Sequence, residues 1–218
     1  MELCRYIDHT LLKPVAAAND IIQLCKEAIA HDFYAVCVNS SWVKLCSENL
    51  KASPVKIAST VGFPLGAMSV EAKASEACQA IKDGAAELDV GINIGALKSR
   101  NYNYVEDEIR KLKKAVGQNI LKVIIETCYL SDAEKEIATD LACKAGADFV
   151  KTSTGFGTGG ATLQDIILMK SIISGRAKLK ASGGIKDYET AMLYIKNGVH
   201  RLGTSSGVEI MKQIPTPS

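Results

Sequence analysis

Two lysines carry the chemistry this sequence could do. Lys151 follows the apolar pair Phe149 and Val150 in "ADFVKTSTGFGTGGAT", and Lys180 stands in "KLKASGG". A lysine attacks a carbonyl carbon only through its neutral amine, so such a role needs desolvation or a neighbouring cation to lower its pKa. Asp89, in "ELDVGI", adds a carboxylate that could pair with either ammonium or help to move protons. The plain alternative is an ion pair, with Asp89 or Glu126 as the acid. It is credible for Lys180. It is weaker for Lys151, which is preceded by apolar residues and followed by no nearby carboxylate. Asp8 in "YIDHT" and Lys122 in "LKVIIET", taken singly, read as charges facing solvent or marking a strand edge; on the strands of a barrel, covered on both faces, they would converge with Asp89, Lys151 and Lys180 and must be paired or functional.

Glycines and hydroxyls cluster in "STGFGTGG" (153–160), "SGGI" (182–185) and "GTSSG" (203–207). One such stretch would be an ordinary turn or helix cap. Several of them, two after neighbouring strands, suit a phosphate cradle of backbone N–H groups and hydroxyls, which needs no arginine.

These residues must be brought together by the elements that hold them. Eight short apolar runs read as strands: 6–10, 34–38, 56–61, 87–92, 121–127, 148–154, 178–183 and 200–205. Between them lie amphipathic or alanine-rich segments such as "AANDIIQLCKEAIAHD", "SVEAKASEACQAIKDG" and "SDAEKEIATDLACKAG", several opening on Ser, Asn, Asp or Thr and closing at Gly. The units "DGAAELDV", "KAGADFVK" and "KNGVHRLGT" each leave a helix at a glycine and enter a strand within about three residues, the short loop of a βαβ unit. The expected fold is α/β, a closed (β/α)₈ TIM barrel, with an open doubly wound sheet as the alternative. The segment after Gly207, with two prolines, is expected to fray.

In a barrel the reactive side chains sit at the C-terminal strand ends. Lys151 and Lys180 would then occupy adjacent strands roughly 4.8 Å apart. Two ammonium groups about 4 Å apart at an effective dielectric near 20 repel by about 4 kcal/mol, enough to lower one pKa by a few units. On this reading Lys180 is the main reason that Lys151 is often uncharged.

The totals narrow the classes. The 218 residues are expected to form one domain, 1–218. A net charge of +2 with 23% charged residues leaves no footprint for nucleic acid or a membrane surface. No apolar run would span a bilayer, and a cytoplasmic setting is expected. Seven scattered cysteines without C-x-x-C read as free thiols, mostly small core residues. The three histidines (9, 31 and 200) are far apart, so no metal site and no cofactor are expected; His31 suits a helix C-terminal cap and His9 a structural hydrogen bond.

The stretches "IDHTLLKP", "VCVNSSWV", "STVGFPLG", "ELDVGINIG", "LKVIIET", "FVKTSTGFGTGGAT", "KASGGI" and "RLGTSSG", in order from residue 7 to 207, resemble the deoxyribose-phosphate aldolases, a class I aldolase family on a TIM barrel. The resemblance implies a Schiff-base role for Lys151, a perturbing lysine at Lys180 and assistance in proton transfer by Asp89. It places Lys122 and Cys37 along the pocket. It puts Gly155, Ser182, Gly183, Gly184, Gly203, Ser205 and Ser206 around the substrate phosphate. It implies cleavage of 2-deoxy-D-ribose 5-phosphate to D-glyceraldehyde 3-phosphate and acetaldehyde, and a homo-oligomer. The chain departs from some relatives in two places. Phe156 stands where they carry a basic residue after "TSTG", so phosphate binding should lean on backbone and hydroxyl groups. No tyrosine follows Tyr194, which puts tail-assisted proton transfer in doubt. Two other readings remain: a different class I aldolase or transaldolase, and a noncatalytic phosphometabolite-binding barrel.

Overall fold

The computed structural model describes residues 2–215. Eight strands, β1 (Ile7–Leu11), β2 (Ala35–Val38), β3 (Lys56–Val61), β4 (Glu87–Gly91), β5 (Ile120–Ile124), β6 (Phe149–Lys151), β7 (Lys178–Ser182) and β8 (Arg201–Thr204), close in sequence order. All pairings are parallel, and β8 completes the circle on β1 through Leu202 with Ile7 and Gly203 with Asp8. The closed (β/α)₈ barrel is therefore the fold, and the open sheet is excluded.

Nine helices accompany the strands among the described residues: α1 (Ala18–Ala30), α2 (Val43–Asn49), α3 (Val70–Lys82), α4 (Ile94–Lys98), α5 (Tyr102–Val116), α6 (Asp132–Lys144), α7 (Leu163–Ile173), α8 (Tyr188–Lys196) and α9 (Gly207–Lys212). Their starts are encoded locally. Ser69, Ser131, Thr162 and Asp187 each accept a backbone N–H from the first turn of the helix that follows, and Glu134 returns a bond to Ser131 N to complete a capping box. His31 closes α1 as its C-cap.

Three short helices lie outside the sequence expectation. α2 and α4 span only two turns or fewer, too little for a period to stand out. α9 corrects the expected fray. Ile210 is fully buried and anchors the helix against the barrel; the rest of the expected frayed end, Thr216–Ser218, lies outside the described residues.

Strand residues divide by parity, because successive side chains point to opposite faces. Val36, Val38, Leu88, Val90, Val123, Val150, Leu179 and Leu202 belong to the apolar core that the helices cover. The alternate set, with Asp8, Cys37, Glu87, Asp89, Lys122, Lys151, Lys180 and Arg201, fills the barrel. Bulky aliphatics usually fill this space; here charges do.

Candidate active site

Register brings the charges together. Asp89 lies beside Lys122, and Lys151 beside Lys180, which in turn lies beside Arg201. Asp89 is the hub: its Oδ1 accepts from Lys122 Nζ at 2.7 Å, and its Oδ2 accepts from both Lys151 Nζ and Lys180 Nζ at 2.7 Å. Asp8 accepts from Lys180 through Oδ2 and from Arg201 Nη1 through Oδ1 at 2.8 Å. Glu87 Oε2 closes the network, 2.6 Å from Lys122 Nζ and 3.0 Å from Arg201 Nη1. The Arg201 guanidinium also lies 3.5 Å from the centroid of the Tyr34 ring.

Asp8, Asp89, Lys122 and Lys180 are wholly buried, and Lys151 is 3% exposed. Buried charge is tolerable only when paired, and here four basic groups face three carboxylates. One cation is in excess, and the environment selects which. For Lys151, burial acts first to lower the pKa, Asp89 opposes it, and the Lys180 charge lowers it further; the net direction is down. Burial also works against the charges of Lys180 and Lys122, but nearby carboxylates outweigh it and hold both above the usual lysine range. Burial likewise opposes ionisation of Asp89, yet Lys122, Lys151 and Lys180 keep its carboxyl well below the ordinary value. The sequence expectation that Lys180 is the chief cause is thus corrected. Desolvation leads, and the neighbouring ammonium adds to it. The Phe63 ring, centroid 5.5 Å from Lys151 Nζ, contributes to that dry setting.

Above Lys151 opens a cavity of about 330 Å³. Gly155, Ser182, Gly183, Gly184, Gly203, Ser205 and Ser206 all line it together with Lys151. Lys180, Asp89, Lys122 and Cys37 do not; they lie within the barrel beneath it, and burial pushes the Cys37 thiol up. Lys122 and Cys37 thus support the floor rather than the wall that the resemblance implied. A larger hollow of about 630 Å³, bordered by Leu3, Met192 and Met211, contains none of the converging strand charges, so the smaller cavity is the candidate site.

The cavity is built by stitching strand ends. Ser182 Oγ donates to Ser153 O at 2.6 Å, Ser182 N donates to Thr152 Oγ1 at 3.2 Å, and Thr204 Oγ1 donates to Ile185 O at 2.7 Å. These side-chain bonds replace the ladder, which is why β6 ends at Lys151 rather than at residue 154. Gly203 is required by close approach: a Cβ there would lie 3.0 Å from Ser182 Cβ and 3.2 Å from Lys180 Cε.

Several residues depart from the sequence reading. Asp8 and Lys122, which taken singly read as edge charges, are buried and paired in the network, as the barrel reading requires of charges on strands covered on both faces. Glu126 does not reach either lysine and bonds Thr154 instead. Glu87 and Arg201 were unanticipated, although each stands two residues before a residue already singled out, Asp89 and Gly203, and so shares its face. Lys13 and Lys186 line the cavity with exposed side chains. They place cations at a cavity where the reading leaned on backbone and hydroxyl groups. Among the described residues, no group of three or more His, Cys, Asp and Glu side chains is arranged to hold a metal ion, and no helix is long and apolar enough to cross a membrane.

Residues 3–213 match the model of the DeoC/LacD family aldolases. A deoxyribose-phosphate aldolase of Thermococcus gammatolerans is 54% identical over 216 residues, covering 97% of this chain and 96% of its own. Among solved structures, the aldolase QR15 superposes with a TM-score of 0.94 at 42% identity, covering 97% of this chain and 95% of its own. The tetrameric deoxyribose phosphate aldolase of Aeropyrum pernix gives 0.87 at 32% identity, covering 96% and 89%.

Proposed function

This chain belongs to the DeoC/LacD family of aldolases, and from that membership and its buried lysine pair we propose that it reversibly cleaves 2-deoxy-D-ribose 5-phosphate to D-glyceraldehyde 3-phosphate and acetaldehyde, in deoxyribose phosphate breakdown. The observation that carries the assignment is Lys151 Nζ. It is the lysine at the base of the cavity whose pKa is driven down, and it shares Asp89 Oδ2 with a lysine whose pKa is driven up.

Neutral Lys151 attacks C1 of the open-chain aldehyde, giving a carbinolamine whose hydroxyl takes a proton relayed through water from the Lys180 ammonium and leaves as water, so that the protonated imine forms. The iminium nitrogen is then the electron sink. The C3 hydroxyl gives its proton through water to the Lys180 amine that the dehydration left neutral, the C2–C3 bond breaks, glyceraldehyde 3-phosphate departs and the electron pair becomes the enamine of acetaldehyde. Protonation at C2 and hydrolysis of the imine release acetaldehyde and restore the amine.

Asp89 keeps both lysine nitrogens on one oxygen. The three lysines hold its carboxyl well below the usual carboxylate range, so it steadies the iminium once Lys151 becomes cationic, and it assists proton transfer by holding water together with Lys180. Lys180, protonated at neutral pH, is the acid that exchanges protons with the reacting carbons through water. Gly155, Ser182, Gly183, Gly184, Gly203, Ser205 and Ser206 bind the phosphate, with Lys13 and Lys186 adding charge at the rim. Lys122 and Cys37 support the floor from below.

We assign the whole chain, 1–218, to one aldolase domain acting in the cytoplasm. Its free cysteines support a reducing setting, and the tetrameric relative supports a homo-oligomer. The assay is direct: purified protein given 2-deoxyribose 5-phosphate should release equimolar acetaldehyde and glyceraldehyde 3-phosphate. A product ratio other than one to one, or turnover only with a different phosphosugar, would overturn the substrate assignment.

A further inference from the structure

Glu126 lies just beyond β5 and is used by none of the steps above. Its backbone is left-handed, φ 55° and ψ 69°, a conformation that costs a residue with a Cβ and persists only where the surroundings enforce it. The kink falls between two backbone bonds that hold the end of β6: Ile125 N donates to Lys151 O at 3.1 Å, and Thr127 N to Thr152 O at 2.9 Å.

The side chain is 3% exposed, and its hydrogen-bonding partners are neutral. Thr154 N donates to Oε1 at 3.1 Å and to Oε2 at 3.2 Å, and Thr154 Oγ1 also donates to Oε2. Thr154 Oγ1 in turn accepts Phe156 N at 3.1 Å. A Cβ on Gly157 would lie 2.6 Å from Cys128 Sγ and 3.3 Å from Glu126 Oε1, so this loop is seated directly on the segment that carries Glu126. Thr154, Gly155 and Phe156 line the cavity. A buried acid without a basic partner is an expensive way to hold a loop, which points to a geometry that the site needs.

We propose that Glu126 is a positioning residue for the phosphate end of the substrate: by clamping Thr154 from behind, it fixes the 154–156 turn on the cavity wall without touching substrate. The assignment rests on reading this cavity wall as the phosphate cradle. It requires Glu126 to act on phosphate affinity and not on the chemistry at Lys151.

The test compares wild type, Glu126→Ala and Glu126→Gln on 2-deoxyribose 5-phosphate and on unphosphorylated 2-deoxyribose. Borohydride trapping of acetaldehyde on Lys151 checks that the core is intact. Glu126→Ala should raise KM for the phosphorylated sugar roughly tenfold, with kcat changed by no more than about threefold and kcat/KM for the unphosphorylated sugar unchanged. Glu126→Gln, which keeps an acceptor oxygen for Thr154, should recover most of that KM, and it stands as the test if the alanine variant fails to fold. Equal losses on both sugars, a fall in kcat alone, or unaltered kinetics in both variants would overturn the role of Glu126. A wild-type enzyme indifferent to the phosphate would instead overturn the reading of the cavity, and the proposal with it.

Discussion

At the scale of single residues, the arrangement favours the loss of a proton from one amine, which is the basis of the role proposed for Lys151. Four basic groups and three carboxylates share the inside of the barrel, and the excess cation is relieved at Lys151, the member that meets the cavity. Its neutral fraction falls as pH drops, so kcat/KM should have an acid limb set by the depressed Lys151 pKa. Lys180→Leu removes a charge that lowers this pKa and frees Asp89 Oδ2 to hold the Lys151 ammonium. The limb should therefore move to higher pH, with about a tenfold loss at neutral pH for every pH unit that it moves. A pH–rate profile superposable on wild type would contradict this. Lys151→Leu should cost on the order of 10⁴-fold or more in kcat, measured by product release. Lys151, Lys180 and Asp89 stood out in the sequence because a charge in an apolar strand is conspicuous. Glu87 and Arg201 did not, since each sits at a strand's first residue, where a charge looks like an ordinary boundary. The ordering of causes at Lys151 was also illegible, because desolvation depends on what closes over a group.

At the scale of elements, the chain places function at strand ends by exchanging ladder bonds for side-chain bonds. β6 has only three residues, and Thr152, Ser153 and Ser182 continue its attachment to β7 beyond the strand. Gly203 serves the same design by giving Lys180 room. Gly203→Ala should destabilise the protein by about 1–3 kcal/mol in urea unfolding and reduce turnover, because Ser182 and Lys180 would both have to shift. Stability within about 0.5 kcal/mol of wild type would show that the site yields easily. All eight strands were legible from short apolar runs between glycine-ended helices, with ends misplaced where caps and turns replace strand pairing. α2, α4 and α9 were not legible, because fewer than two full turns leaves no repeat to recognise and burial of a few residues such as Ile210 decides them.

At the scale of the whole molecule, the ionic interior ties stability to catalysis. Burial opposes the charge of Asp8, yet Lys180, Arg201 and Lys122 hold its carboxyl below the unfolded value of 3.8. A carboxyl depressed in the folded state contributes stability that is present above the unfolded pKa and lost as pH falls toward the folded one. Asp8→Asn should thus lose about 3–5 kcal/mol near neutrality, where it leaves Lys180 and Arg201 short of an anion. The gap to wild type should narrow between about pH 5 and pH 3. A gap independent of pH would deny Asp8 its charged role. Barrel closure was readable from strand count and loop length, and with it the convergence of Asp8, Asp89, Lys122, Lys151 and Lys180 at the strand ends, whereas the pairing of those charges and the addition of Glu87 and Arg201 required the register.

The most direct test of the central claim is covalent capture. The protein is incubated with acetaldehyde, reduced with borohydride, digested and analysed by peptide mass spectrometry. The account predicts a two-carbon adduct on Lys151, absent in Lys151→Leu; no adduct, or one confined to Lys180, would contradict it.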